Sequence, residues 1–338
     1  MPPTPPASSH RPIALGAHDT IVRHGEGGTL YLSCPDPLGA YPRTLADRLE
    51  HWARERPDQV FLAKREQPDA PWRTLTYRDA FARVEGIAAG LRARPLSAGR
   101  PISILSENDL EHALLGLAAM RAGIPYAPIS PAYSLVSTDF SKLKHVLGLL
   151  TPGLVFARDG ARYGRAIAAC VAGDVEVVLT HGEIGTRRTT RFDALDATPS
   201  GTTPSGTTPS GPVAAVDVDA PAKILFTSGS TGQPKGVIQT HRILTSNQQS
   251  YIQCLPVWAT PTPVMIDWQP WHHTAGGNAN FGVVLYNGGT MYIDDGKPLP
   301  AAIETTINNL REIAPTVYVS VPRGLEMLIP YFERDPAL

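Results

Sequence analysis

An α/β fold with largely parallel sheets is predicted by three observations. Short apolar runs alternate with segments of helical period. Glycine and proline, 30 and 33 of the 338 residues, punctuate the junctions and argue against long helical bundles. A hydrophobic content of 42% is enough to build sizeable cores, and the length is about two domains' worth at ~150 residues each.

Residues 21–33 (IVRHGEGGTLYLS) hold two apolar runs around a glycine-rich turn, which predicts a hairpin. Thr44 with Asp47 resembles a capping box, and Leu45, Leu49 and Trp52 recur at helical spacing up to Pro57, so a helix with one buried face follows. Thr76 and Asp79 repeat the device ahead of Phe81, Val84, Ile87 and Leu91, and the PISIL run at 101–105 reads as a buried strand. The alternation continues with helix 109–122, strand 126–129, helix 138–150, strand 154–157, helix 160–172 and strand 175–180. Such an order predicts a parallel sheet covered by helices.

Composition then breaks. Residues 198–211 read TPSGTTPSGTTPSG, a TPSGT unit repeated without one apolar side chain, which cannot bury enough surface to offset its ordering entropy. A surface loop or linker is expected there. Beyond it come strands 222–226 and 237–240, helix 241–254, strand 264–267, helix 278–286, strand 290–293, helix 300–313, strand 316–320 and helix 323–332. The chain divides on this basis into a tail with hairpin (1–40), a first α/β subdomain (41–197), the repeat loop (198–215) and a second α/β part (216–338).

Several function classes are disfavoured by composition. Lys+Arg 30 against Asp+Glu 31 leaves no basic surplus to neutralise a nucleic-acid backbone. Cys34, Cys170 and Cys254 lie far apart with no CxxC pair, so neither a disulfide framework nor a zinc site is encoded, and a reducing cytoplasm fits. The first 20 residues have neither the basic start nor the apolar run of a signal peptide, and no ~18-residue apolar stretch predicts a membrane span.

The chemistry concentrates at 224–240, ILFTSGSTGQPKGVIQT. Between two apolar runs, Thr227, Ser228, Gly229, Ser230, Thr231 and Gly232 let the backbone curl so that N–H groups converge on an anion, with hydroxyls as further donors and Lys235 as a positive charge. That pattern suits phosphate, although an ordinary polar turn has the same small residues. It is not a Walker loop: counted from Gly229, Pro234 stands where the second glycine belongs and Gly236 where the hydroxyl belongs. A second cluster, PWHHTAGG at 270–277, lies at a strand-to-helix junction. Its His272 and His273 would point in different directions, and no ligand set stands nearby, so no metal is assigned. Asp267, Asp294 and Asp295 are expected to be solvated carboxylates at strand ends.

TSGSTGQPKG resembles, position for position, the signature loop of the adenylate-forming superfamily, which includes acyl-CoA synthetases, luciferases and peptide-synthetase adenylation domains. PWHHTAGG is similar to the superfamily's Pro-x-x-His-x-x-Gly motif, with His273 in the histidine place and Gly276 in the glycine place. LTYRDAFARVEGIAAGL (75–91) and AAMRAGIPYAPISPAYS (118–134) resemble two structural blocks of the N-terminal domain. More narrowly, YPRTLADRLEHWARERPD (41–58), SPAYSLVSTDFSKLKHVLGLLTPGLVFA (130–157) and FGVVLYNGGTMYIDDGKPLP (281–300) look like the feruloyl-CoA synthase family.

The resemblance implies stacked α/β subdomains and a two-step reaction with ATP, Mg2+ and CoA. A small aromatic carboxylic acid such as ferulate becomes acyl-AMP, and the CoA thiol then displaces AMP. It implies catalytic roles for Lys235 and His273, phosphate contacts from Thr227 to Gly232 and an acyl pocket with His273, Gly276 and Gly277. It gives no choice among ferulate, coumarate and caffeate. The departure is that no YGxTE segment, hinge or late C-terminal lysine follows, so the chain resembles the first half of such an enzyme, truncated before the C-terminal domain. Weak or no catalysis by the chain alone is therefore expected. Three alternatives stay open: a ligase completed by a separate chain carrying the C-terminal half, an inactive fragment that keeps its half-sites as a binding module, or an adenylation domain loading a carrier protein.

Overall fold

The computed structural model describes residues 13–16, 19–196, 216–228 and 232–335. The TPSGT repeat falls outside the described residues. Strands β1 (Ile21–His24) and β2 (Leu30–Ser33) form the expected antiparallel hairpin, with Ile21 opposite Ser33. Helix α1 (Leu45–Glu55) starts at a complete capping box: the Thr44 hydroxyl accepts from Asp47 N, and Asp47 Oδ2 accepts from Thr44 N, each at 3.1 Å. Two strands without a sequence counterpart follow, β3 (Val60–Lys64) and β4 (Arg73–Thr76), antiparallel to each other. β3 ends in Lys64. It is buried because its Nζ donates to the Asn108 carbonyl at 2.8 Å and pairs with Asp295 at 3.0 Å. Helix α2 (Tyr77–Arg92) has only half of the predicted box: Thr76 Oγ1 accepts from Asp79 N at 3.1 Å, and the Asp79 carboxylate accepts from that same hydroxyl at 2.7 Å.

The α/β alternation then runs as predicted through β5 (Ile102–Leu105), α3 (Leu110–Ala122), β6 (Tyr126–Pro128), then, after an unforeseen one-turn α4 (Ala132–Leu135), α5 (Ser141–Leu150), β7 (Leu154–Asp159), α6 (Gly160–Cys170) and β8 (Glu176–His181), to which a short β9 (Thr190–Arg191) is added. After the repeat come β10 (Pro221–Ser228), β11 (Pro234–Thr240), α7 (His241–Cys254), β12 (Val264–Asp267), α8 (Phe281–Tyr286), β13 (Thr290–Ile293), α9 (Ile303–Ile313) and α10 (Pro322–Arg334). Two expectations fail here. Residues 316–320 are not a strand: Thr316 and Val317 both donate to the Val264 carbonyl, which leaves a single bridge from Val317 to Met265. The helix expected from 278 begins instead with a π-turn over Ala275–Asn280 and becomes α-helical only at Phe281.

Two sheets result. The seven-stranded sheet has the order β11-β10-β6-β5-β7-β8-β9 and is parallel except for the β10–β11 pair; the four-stranded sheet has the order β12-β13-β3-β4 and is parallel except for β3–β4. Each sheet takes strands from both sides of residues 198–215. Helix α3, buried along nearly its whole length, packs on β6 and β10 of one sheet and on β3 of the other. The main core therefore lies between the sheets, around Phe61, Tyr77, Leu114, Phe156 and Val284. No helix among the described residues is long and apolar enough to cross a membrane.

Candidate functional site

The phosphate-type loop joins two strands that run further than their apolar residues suggest. β10 continues to Ser228 and β11 starts at Pro234, with Thr227 opposite Lys235 and Ser228 opposite Pro234 in the antiparallel ladder. Ladder hydrogen bonds do not depend on side-chain polarity, so the pairing extends into the motif. Lys235 and Thr227 are exposed where the strands leave the sheet, and Gly232 adopts φ +83°, a left-handed conformation that favours glycine. Gly229, Ser230 and Thr231 lie outside the described residues, as does the Ser228 side chain. The loop's base is fastened to α5, where His145 Nε2 lies 3.0 Å from the Pro234 carbonyl.

The second segment crosses from β12 to the π-turn. Trp271 is buried, its backbone N–H donates to Asn108 Oδ1 at 2.9 Å, and its ring meets His112 and Phe281 edge-on at 5.2 and 5.0 Å. The two histidines do not point apart as expected: their ring centroids lie 4.5 Å from each other, although His272 is half-buried and His273 exposed. Burial, then the neighbouring His273 and Lys223, hold the His272 imidazole down at about 4, so it is neutral at pH 7. Gly276 and Gly277 are buried by close backbone approach. A Cβ on Gly276 would lie 2.3 Å from the Gln269 carbonyl oxygen, and one on Gly277 would lie 2.1 Å from that of Trp271.

A small cavity of about 20 Å3 lies behind this segment. His112, Lys223, Asn278 and the aromatic rings of Tyr126, Trp271 and Phe281 line it, with Gly277 and aliphatic side chains from α1, α3 and α7 completing it. Of the three residues predicted for an acyl pocket, Gly277 lines this cavity, while Gly276 and His273 are not in its wall.

Sequence reasoning passed over Lys223. It lies in β10 and is buried, and its Nζ donates to the Gly277 carbonyl at 3.0 Å and to Asn278 Oδ1 at 3.1 Å. One side chain thus ties the stem of the phosphate-type loop to the π-turn. Burial pushes its ammonium down to about 7. The available signal was a charge inside the apolar run AKILF, since lysine is almost never fully buried without a partner. His112 was missed likewise; buried among apolar groups, its imidazole is held down at about 3.

The expectation of solvated carboxylates holds for Asp295 alone of the three. Asp267 and Asp294 are buried. Asp267 Oδ1 accepts from Gln269 N and Asn280 Nδ2 at 3.2 and 3.0 Å, Oδ2 has no partner among the described residues, and desolvation raises the carboxyl to about 7. Asp294 accepts from Gly296 N and Asn309 Nδ2, both at 2.9 Å, and from the Thr306 hydroxyl. Both carboxyls end parallel strands, where packing against the next layer removes water. Among the described residues no three His, Cys, Asp or Glu side chains come together as a metal-ligand set.

Comparison with known proteins gives the site its context. A family model described as AMP-binding enzyme matches residues 49–337. A carboxylic acid reductase of Mycobacterium tuberculosis is 26% identical over 280 residues, covering 78% of this chain and 22% of the reductase. The 3-[(3aS,4S,7aS)-7a-methyl-1,5-dioxo-octahydro-1H-inden-4-yl]propanoyl:CoA ligase of Rhodococcus jostii is 26% identical over 286 residues, covering 83% of this chain and 54% of the ligase. Among solved structures, apo MatB from Rhodopseudomonas palustris superposes with a TM-score of 0.63 at 26% identity, over 85% of this chain and 51% of MatB. An ATP-bound MatB structure also matches, with a TM-score of 0.59 at 25% identity, over 80% of this chain and 48% of that one. The chain thus spans about half the length of the ligase and of MatB, and less of the reductase.

Proposed function

Because the chain belongs to the AMP-binding enzyme family, we propose that it serves the ATP-dependent activation of a hydroxycinnamic acid, ferulate or a close relative, first to acyl-AMP and then to acyl-CoA. A carboxylate is a poor acyl donor because its leaving group would be oxide. In the first step a carboxylate oxygen bonds to the α-phosphorus of ATP and pyrophosphate leaves. In the second the CoA sulfur bonds to the acyl carbon, its proton is released and AMP leaves.

The observation that carries this reading is the β10–β11 hairpin, whose paired ends run into both sides of TSGSTGQPKG with Lys235 exposed opposite Thr227. Lys235 and the hydroxyls of Thr227, Ser228, Ser230 and Thr231 would hold the β- and γ-phosphates and neutralise charge as pyrophosphate departs. His273, exposed at the start of the π-turn, would face the acyl group and the incoming thiol, with Gly276 and Gly277 allowing the close backbone approach behind it. Mg2+ would arrive with the triphosphate, whose oxygens supply much of its coordination. The names of the ligase and of ATP-bound MatB support the acid-activation class; the hydroxycinnamate assignment rests on the sequence blocks at 41–58, 130–157 and 281–300.

Ferulate-dependent ATP–pyrophosphate exchange tests the first step without CoA. It is measured on the chain alone and with a polypeptide supplying the C-terminal half of a feruloyl-CoA synthase. Exchange above the no-acid control is expected once the C-terminal half is supplied, with weak or no exchange from the chain alone, and Lys235→Ala is expected to lower it by about 100-fold while acid affinity changes less than about 3-fold. A folded chain that gives no exchange in both settings overturns the proposal. Equal losses in exchange and acid affinity would make the loop merely structural.

A further inference from the structure

Lys223 is 2% exposed, and both of its hydrogen-bond acceptors, the Gly277 carbonyl and Asn278 Oδ1, are neutral. Its Nζ lies 5.7 Å from the centre of the Tyr126 ring, and no carboxylate pairs with it among the described residues. Burying an ammonium without a counter-charge is costly, and two neutral acceptors leave one of its three donors over. A second donor stands in the same wall: Trp271 is 3% exposed, lines the cavity, and its Nε1–H has no hydrogen-bond partner among the described residues. The cavity therefore offers N–H donors and aromatic faces without any negative charge of its own. It calls for an acceptor oxygen on a flat apolar body. Its volume, about 20 Å3, takes one oxygen-sized substituent and not a ring.

Position along the strand orients such a ligand. Thr227, at the base of the phosphate-type loop, is four residues from Lys223 in β10, or ~13 Å at ~3.3 Å per residue. An acid whose carboxylate lay beside Thr227 and whose long axis followed β10 would extend its other tip toward Lys223. A para-hydroxylated arylpropenoate carries its two polar ends on opposite tips and an apolar ring between them.

We propose that Lys223 is a specificity-determining residue that, with Asn278 and the Trp271 N–H, receives the ring hydroxyl of the acid while the carboxylate is presented at the phosphate-type loop. The assignment rests on the activation of an aromatic acid argued above and names the group that selects among such acids.

Calorimetric titration of the chain with 4-hydroxycinnamate and with unsubstituted cinnamate, which differ only in the hydroxyl, tests it. The wild type is expected to prefer the hydroxylated acid by about 10- to 100-fold. Lys223→Met is expected to remove that preference and to leave cinnamate affinity within about 3-fold. Should Lys223→Met not fold, Trp271→Phe keeps the ring, removes only the unpartnered N–H, and is expected to weaken 4-hydroxycinnamate selectively by about 5-fold. Equal loss of both acids on Lys223→Met would make the lysine a carboxylate partner or a mere strut and overturn the proposal. A wild type that binds both acids equally overturns this inference alone, whereas one that binds ATP but neither acid overturns the aromatic-acid reading and this inference with it.

Discussion

A Cβ at Gly277 would lie 2.1 Å from the Trp271 carbonyl oxygen and 2.7 Å from Lys223 Nζ, one of them backbone that cannot give way cheaply. Gly277→Ala is therefore expected to cost about 1–3 kcal/mol in urea denaturation, because the π-turn must move off the Trp271 backbone. Gly148, on the exposed face of α5, is the contrast: nothing lies within 4 Å of its Cβ position. Gly148→Ala is expected to stabilise by about 0.5–1 kcal/mol through the entropy that alanine saves in a helix. An equal effect of the two substitutions would remove close approach as the reason for glycine at 277. At this scale the sequence showed which residue types were unusual and not their surroundings. His272 and His273 are adjacent letters, yet one ring is half-buried beside a buried lysine and the other faces solvent.

Elements were more legible where their signals are local. The capping box at Thr44 was read from two residues three apart, and its reciprocal bonds are present because Thr44 is held in extended backbone at the helix entry. Thr44→Ala is expected to lower stability by about 1 kcal/mol, read as a shift in the urea midpoint at unchanged slope. No shift would mean that Asp47 alone satisfies the first turn. The same signal at Thr76 overstated the box, since the Asp79 carboxylate bonds the threonine hydroxyl instead of the backbone. β3 and β4 escaped although β12, equally short and also ending in a charge, was read, so length and a charged end do not explain the miss; β10 and β11 outran their apolar runs because the ladder bonds backbone, not side chains. The π-turn was invisible as such. Its glycines mark where a wider turn fits, but only the approach of the Gln269 and Trp271 carbonyls makes it necessary.

Across the whole molecule, Asp267 and Lys223 are two of several buried groups with shifted titration, and they contribute opposing slopes of stability against pH. Asp267 is raised to about 7 from an ordinary 3.8, so between those values the folded chain keeps a proton that the unfolded chain has released, and stability falls as pH rises through that window. Lys223 is lowered to about 7 from 10.5, so above pH 7 the unfolded chain binds the extra proton and stability rises with pH up to about 10.5. Asp267→Asn is expected to flatten the first slope and Lys223→Met the second, each measured as the urea midpoint across pH 4–10. Unchanged slopes would mean that water or a partner already compensates these charges. By itself the sequence determined the α/β class, the order of most elements, the phosphate-type loop and the segment that follows β12, because period, capping and glycine-rich turns are written in neighbouring residues. Only the tertiary structure decided that strands from both sides of the repeat share each sheet, that α3 is the layer between the sheets, and that Lys223 from β10 meets Gly277, Asn278 and Trp271 from the π-turn segment. Those contacts join residues some fifty positions apart, where burial and donor pairing depend on which layers pack together and not on any local pattern.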